Sequence, residues 1–388
     1  MAYISCPFCA MVCDDLSLPL HNRETTTPQF GCNKADQGFR SALQATRQTP
    51  LIDGEEASWE AAMKQAGSLL KGAKHPLFHG LAGDLLDSRA AIRMADHFGG
   101  SIDHLHGDAI ARNLRIYQQS GWQISSMGEV RNRADLVILI GTAPEQLYPR
   151  LREKMLEGSE RLHGDVPPTI RELGDDCLDL LSIVRARLAG KPVQQDIADS
   201  ETLIGQINAA SYPVFVIAPL PEQRAELIVR TCVGLVRDLN ETRRSALLML
   251  GAGDGDTTAQ LSATWHNGFG IRTCHAKGYP EQDLQMQAGD RLLQSGEADL
   301  LVWFSSLRCD PPPAVAQPTI VFGHPAMSFT DKPPALFLPV AVPGVHRRGY
   351  LHRADGLRLV PLPALRESPL PDSGALCDQL ISQEPRRC

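Results

Sequence analysis

Three cysteines within eight residues, Cys6, Cys9 and Cys13, are followed by a fourth at Cys32, in the pattern C-x2-C-x3-C-x18-C. One loop can wrap three thiolates around a single centre, and the fourth closes the cage after a short excursion. Four thiolates suit a structural zinc ion or an iron–sulfur cluster. Zinc sites come more often as two separated C-x2-4-C pairs. A triplet plus a remote single therefore favours a [4Fe–4S] cluster, with zinc as the alternative. The sulfurs should then converge, to within about 4 Å of one another around zinc and somewhat wider around a cubane. Pro7, Phe8, Met11 and Val12 supply apolar cover that would influence a cluster's potential. Asp14-Asp15 suits a helix start or a turn better than iron ligation. Residues 1–50 are accordingly expected to form a cysteine-rich segment ahead of the main body.

The other six cysteines (177, 232, 274, 309, 377 and 388) are scattered and read as small core residues or surface thiols. No apolar run approaches the ~20 residues that span a bilayer. The first residues show no charged and apolar signal pattern, so free thiols fit a reducing cytoplasm. A net charge of −7 without a basic run argues against nucleic acid as a partner. Aromatic content of 5% leaves few platforms for stacking bases.

Along the chain, strand-like and helix-like stretches alternate. Ala35 to Gln44 reads as a short helix, and Ser58 caps one in which Trp59, Ala62, Met63, Ala66, Leu69 and Leu70 recur at helical spacing. Residues 76–80 read as a strand, and a helix from about Leu85 to Phe98 stops at Gly99-Gly100. Residues 134–141 are apolar on both faces, as a buried parallel strand should be. Further strands are expected at 213–218, 246–250, 298–304, 319–322 and 336–340. The Ala298-Asp299 entry to the third of these echoes Ala134-Asp135. The pattern implies an α/β protein of two doubly wound, Rossmann-like lobes with mainly parallel sheets, over 51–200 and 201–330. A C-terminal strand segment, 331–388, is expected to end in an extended tail past Pro361.

Several motifs invite chemistry. Gly251-Ala252-Gly253-Asp254-Gly255-Asp256 follows a strand, but Asp256 replaces the third glycine of a G-x-G-x-x-G cradle. Its two carboxylates would also repel a pyrophosphate, so a flexible strand-to-helix turn fits better. In an extended segment His104 and His106 would point the same way, with Asp108 nearby. Without a third ligand they read as surface or hydrogen-bonded histidines. His346-Arg347-Arg348 and His352-Arg353 read as a solvated cationic face. Walker A and G-x-S-x-G motifs are absent.

C-P-F-C-x-x-x-C-D-D followed by a lone G-C resembles the opening of the B subunit of formylmethanofuran dehydrogenase, in the molybdopterin oxidoreductase superfamily. Met127 to Asp135, the W-x-x-G and G-x-P turns at Trp265–Gly268 and Gly278–Pro280, and the stretch from Val340 to Gly356 extend the resemblance over most of the chain. The resemblance implies a [4Fe–4S] cluster on Cys6, Cys9, Cys13 and Cys32. It also places Leu105 where the dehydrogenases carry the cysteine or selenocysteine that ligates tungsten or molybdenum. An isobutyl group cannot bind a metal, and the turns that hold pterin nucleotides are not recognisable, for example at Thr169 to Asp175. The resemblance therefore leans toward the B subunit of bacterial formyltransferase/hydrolase complexes. It implies a non-catalytic scaffold without molybdopterin or tungstopterin, beside a formyltransferase and an amidohydrolase-like hydrolase. A tungsten- or molybdenum-pterin oxidoreductase component, with His104 or His106 as substitute ligand, is the alternative.

Overall fold

A computed structural model of the chain describes residues 2–18, 31–157, 161–162, 166–195, 197–330, 332–383 and 386. It is a mixed α/β protein with two largely parallel sheets, and the chain divides into two compact units. One unit is discontinuous, Met1–Ile110 with Gly253–Cys388; the other is the intervening Ala111–Ala252.

The discontinuous unit is built on a nine-stranded sheet. Its centre is five parallel strands in the order Ser101–Ile102, Pro76–Ala82, Leu300–Ser305, Thr319–Gly323 and Leu336–Pro339. Short antiparallel strands flank them, Thr273–Cys274 and Glu281–Gln282 on one edge, Leu51–Ile52 and Glu55–Glu56 on the other. The five central strands are buried throughout, which explains their unbroken apolar runs. Helix Leu85–Phe98 lies against this sheet and starts at a capping box on Asp84 and Asp87. Phe78, Phe98, Phe304 and Phe322 share one core with Ala90, Ala91 and Ala95 of that helix. Burying each such phenylalanine contributes about 1.5–3 kcal/mol. At Gly80 the strand takes φ +81, and a Cβ there would fall 2.8 Å from the Phe304 carbonyl oxygen, so only glycine fits.

The continuous unit carries a four-stranded, all-parallel sheet, in the order Ala246–Met249, Pro213–Ile217, Leu136–Ile140 and Thr169–Leu173. Helices Leu178–Leu188 and Glu222–Leu239 bury Leu181, Val184, Val229 and Val236 in its core.

The two Ala-Asp entries do the same work in the two sheets. Asp135 accepts the backbone N–H groups of Ser211 and Tyr212 at 2.6 and 2.9 Å, just before the strand that opens at Pro213. Asp299 accepts those of Lys74 and His75 at 2.6 and 3.0 Å, just before the strand that opens at Pro76. In each case the aspartate clamps the start of the neighbouring parallel strand, where a proline follows and cannot donate.

The boundaries expected at 200 and 330 do not coincide with the units. Pro76–Ala82 pairs with Leu300–Ser305 in one sheet, whereas Leu136–Ile140 pairs with Pro213–Ile217 in the other. Nor is the end of the chain a surface extension. Helix Ser373–Gln383 buries Leu376, Cys377 and Leu380 in the first core. Among the described residues no helix is long and apolar enough to cross a membrane.

Candidate functional site

The first three cysteines sit on the loop between the antiparallel strands Ala2–Ile4 and Leu16–Leu18. The loop is closed by backbone bonds from Cys6 N–H to Cys13 C=O at 2.8 Å and from Val12 N–H to Cys9 C=O at 3.2 Å. Val12 takes φ 41 to make the turn. Cys32 stands at the N-cap of helix Asn33–Gln44 with no side-chain capping bond, so its thiol does not serve the helix. None of the four cysteines is tied in a disulfide. Burial, then the charge of Cys9, pushes the Cys6 thiol well up, and Cys13 and Cys32 add to it. Burial likewise raises Cys9, with Cys32 contributing. The four sulfurs thus share one electrostatic neighbourhood, and a cationic centre would discharge the thiols of Cys6 and Cys9 that burial pushes up. Among the described residues, no three His, Cys, Asp or Glu side chains stand close enough to hold a single metal ion. The four cysteines supply the donor type and number of a cluster, with Cys6 and Cys13 buried and Cys9 and Cys32 partly so.

The rest of the loop is packing. Phe8 meets Phe39 edge to face at 5.0 Å, and Met11 and Val12 are buried. A Cβ at Gly38 would fall 2.2 Å from the Phe8 ring, so the helix presents glycine there. A hairpin of Gly349–His352 and Leu359–Leu362 holds the loop from outside. Ala354 N–H donates to Ala10 C=O at 2.8 Å, and Asp14 pairs with Arg353 at 3.3 Å and Arg358 at 2.8 Å. Asp14 therefore serves an ion pair rather than a helix cap.

The Gly253–Asp256 part of the glycine turn is next to this loop. A Cβ on Gly253, which takes φ +104, would come 3.5 Å from Ala10 N; one on Gly255 would come 2.1 Å from Gly83 O. The turn does lead into a helix, Asp256–Asn267, as expected, but it is more than a flexible connection. Asp254 accepts from His106 Nε2 at 3.0 Å and from Arg308 Nη1 at 2.9 Å, and its carbonyl lies 3.3 Å from His104 Nε2. These partners overcome burial and hold the Asp254 carboxyl below its usual range. His104 is fully buried, which drives its pKa down to about 3, with the charge of His106 acting in the same direction. The two imidazoles do come together, with ring centres 5.4 Å apart. His106 N–H donates to His104 Nδ1 at 3.0 Å, and both rings meet Asp254, 150 residues away in sequence from His104.

Asp108 takes no part in this. It pairs with Arg272, whose guanidinium also meets the buried Asp103 at 3.3 Å and donates to Leu284 C=O at 2.7 Å. Asp103 in turn accepts from the backbone of His104 at 2.8 Å and Gly289 at 2.7 Å. Leu105 packs its side chain against the core of Leu77, Leu301, Trp303 and Phe337, and its N–H donates to Gly80 C=O at 3.1 Å. The position where the resemblance expects a metal ligand is thus a packing position.

The expected cationic face is also different. Arg347 is buried against Asp84 at 2.9 Å and Asp87 at 2.6 Å, where Ser306 and Ser373 also donate to Asp87. Burial lowers His346 to about 4, and its Nε2 lies 3.1 Å from Arg366. Asp84, Asp87, Asp103, Arg272 and Arg308 carry no local sequence signal for these roles, because each acts through a partner far along the chain.

No protein-family model matches the chain. It is 28% identical over 363 residues to the B subunit of the formyltransferase/hydrolase complex Fhc of Methylorubrum extorquens, covering 86% of this chain and 98% of that protein. The likeness is to B subunits. A second relative is the B subunit of the tungsten-containing formylmethanofuran dehydrogenase 2 of Methanocaldococcus jannaschii, 25% identical over 97% of this chain and 96% of its own length. In fold, the chain superimposes with a TM-score of 0.73 on a chain of the crystal structure of the Methylorubrum extorquens complex FhcABCD with methylofuran, at 24% identity. That alignment covers 86% of this chain and 98% of the other.

Proposed function

We propose that this chain is the B subunit of a formyltransferase/hydrolase complex and acts as a scaffold with no chemistry of its own. Its partners are a formyltransferase subunit and an amidohydrolase-like hydrolase subunit, which together move a formyl group to a methanofuran-like carrier and release formate. The two units are read as Rossmann-like lobes retained from a dehydrogenase ancestor. Cys6, Cys9, Cys13 and Cys32 would hold a [4Fe–4S] cluster, with zinc as the alternative; such a centre supplies a structural cross-link or an electron store. The reducing cytoplasm suits free thiols of this kind.

The observation that carries the reading is Leu105. Its partly buried side chain packs against the core, and the polar groups around it are taken: His106 by Asp254, Asp108 by Arg272. A dehydrogenase would need a donor there. The test is purification of the native complex, with metal and pterin analysis and assays of the separated chain. Co-purification with both partners, no formyl transfer or hydrolysis by the chain alone, and no tungsten, molybdenum or pterin are expected. Near-stoichiometric tungsten or molybdenum would overturn the reading in favour of the dehydrogenase.

A further inference from the structure

Cys274 and Ser101 stand opposite each other across the antiparallel pair of Thr273–Cys274 and Ser101–Ile102, so their side chains share one face of the sheet. His75 reaches that face from the turn before Pro76, where Asp299 accepts its backbone N–H at 3.0 Å. Its Nε2 lies 2.7 Å from Ser101 Oγ and 3.9 Å from Cys274 Sγ. Ser101 Oγ donates to Gln287 Oε1 at 2.7 Å, which leaves its lone pair to accept the Nε2 proton. His75 therefore presents an N–H to the sulfur, not a lone pair. The Ala276 N–H also donates to Cys274 Sγ, at 3.5 Å. Two donors on one sulfur favour the thiolate.

Cys309 provides the contrast. It too is partly exposed and beside a histidine, 3.3 Å from His324 Nδ1. That nitrogen already accepts the Ala326 N–H at 3.0 Å, so the thiol next to it can only donate. Burial holds His324 down to about 4 and pushes the Cys309 thiol up. At Cys274 burial acts in the same direction, but hydrogen bonding from His75 leads the groups that overcome it and bring the thiol below its ordinary range. The bond to Cys274 raises His75 against burial, and Asp299 and Glu297 help. Glu281, opposite Cys274 on the other neighbouring strand, is neutralised by Lys277 at 2.9 Å. Of these two thiols, one is paired with a proton donor and the other with an acceptor.

We propose that Cys274 and His75 form a peroxide-reactive site at the sheet edge, where hydrogen peroxide converts the cysteine to a sulfenic acid. The thiolate sulfur attacks one peroxide oxygen, and the S–O bond forms as the O–O bond breaks. Sulfur is oxidised by two electrons and the peroxide is reduced by two. The departing hydroxide takes the Nε2 proton of His75 and leaves as water, and His75 recovers a proton from solvent. Cys274 is itself partly exposed and precedes the exposed turn 276–279. The site stands apart from the assembly reading above and does not depend on it.

The test treats the folded full chain with iodoacetamide at neutral pH and follows each cysteine by mass spectrometry, Cys274 in the tryptic peptide Thr273–Lys277. Cys274 is expected to alkylate about tenfold faster than Cys309. Hydrogen peroxide followed by dimedone should label Cys274 and leave Cys309 unlabelled. His75→Gln should slow alkylation of Cys274 about tenfold at neutral pH and move its rate profile to higher pH. Equal rates at the two cysteines of the parent, or alkylation of Cys274 only after denaturation, overturn the proposal. So does a folded His75→Gln variant whose Cys274 reacts as fast as the parent's. Should that variant fail to fold, the comparison of the two cysteines in the parent decides alone. Fast alkylation without a dimedone adduct also overturns it, because the thiol would then be nucleophilic yet closed to peroxide chemistry.

Discussion

The cysteine loop and the Asp103–Gly107 loop belong to the same unit and use their polar groups in opposite ways. In the cysteine loop the backbone closes the turn and apolar side chains pack it, while no thiol is committed to a disulfide. In the histidine loop Asp103, His104 and His106 are engaged by Arg272, Asp254 and neighbouring backbone, and the partly buried Leu105 packs against the core. A turn held by its backbone can turn its thiols to a centre; donors consumed by charged and buried partners cannot do so without undoing those bonds. The difference supports the proposal that the cysteine loop would hold a centre, whereas the donors of the histidine loop are spent on ion pairs and packing.

The largest effect should come from the cysteines. Cys6→Ser in anaerobically purified protein is expected to abolish bound iron and acid-labile sulfide; a parent chain without either, but with one zinc per chain, would replace the cluster by its alternative. Acid should come next. The folded pKa of His104 is about 3, below its ordinary 6.5, so its contribution to stability is complete above 6.5 and declines as pH falls toward 3. Denaturant midpoints should drop across that window, and His104→Asn should flatten the decline. Asp254→Asn should cost about 1–2 kcal/mol by urea unfolding, since it leaves His106 and a partly screened Arg308 without this charged partner. Smallest is Leu105→Cys, which should lower stability by about 1 kcal/mol through lost packing and bind neither tungsten nor molybdenum. Metal retention by that variant would erase the contrast between the two loops.

Much of the fold is readable because its signals are local. The runs at 134–141 and 298–304 are apolar on both faces, and buried parallel strands need that. Ser58 announces a helix start by capping. Which strand pairs with which is not a local property, so the sequence suggests a simple succession of lobes where one unit is in fact interrupted by the other. The candidate site divides the same way. The cysteine spacing is visible in the sequence, whereas the partnership of His106 with Asp254, 148 residues apart, exists only once the chain has folded. Arg347 makes the same point: beside His346 and Arg348 it looks like solvated charge, yet it neutralises two buried aspartates.

The clamp on Asp299 has a consequence for how the chain is made. It closes on Lys74, 225 residues earlier, so the first strands of the interrupted unit leave the ribosome long before their neighbours exist. The intervening unit has no such wait, since its strands all lie between Ala111 and Ala252. During synthesis the inserted unit can reach its native sheet first, while Pro76–Ala82 remains an unpaired apolar strand. Expression at a slowed elongation rate should therefore lengthen the exposure of that strand and favour aggregation. Supplying 253–388 in trans should relieve it.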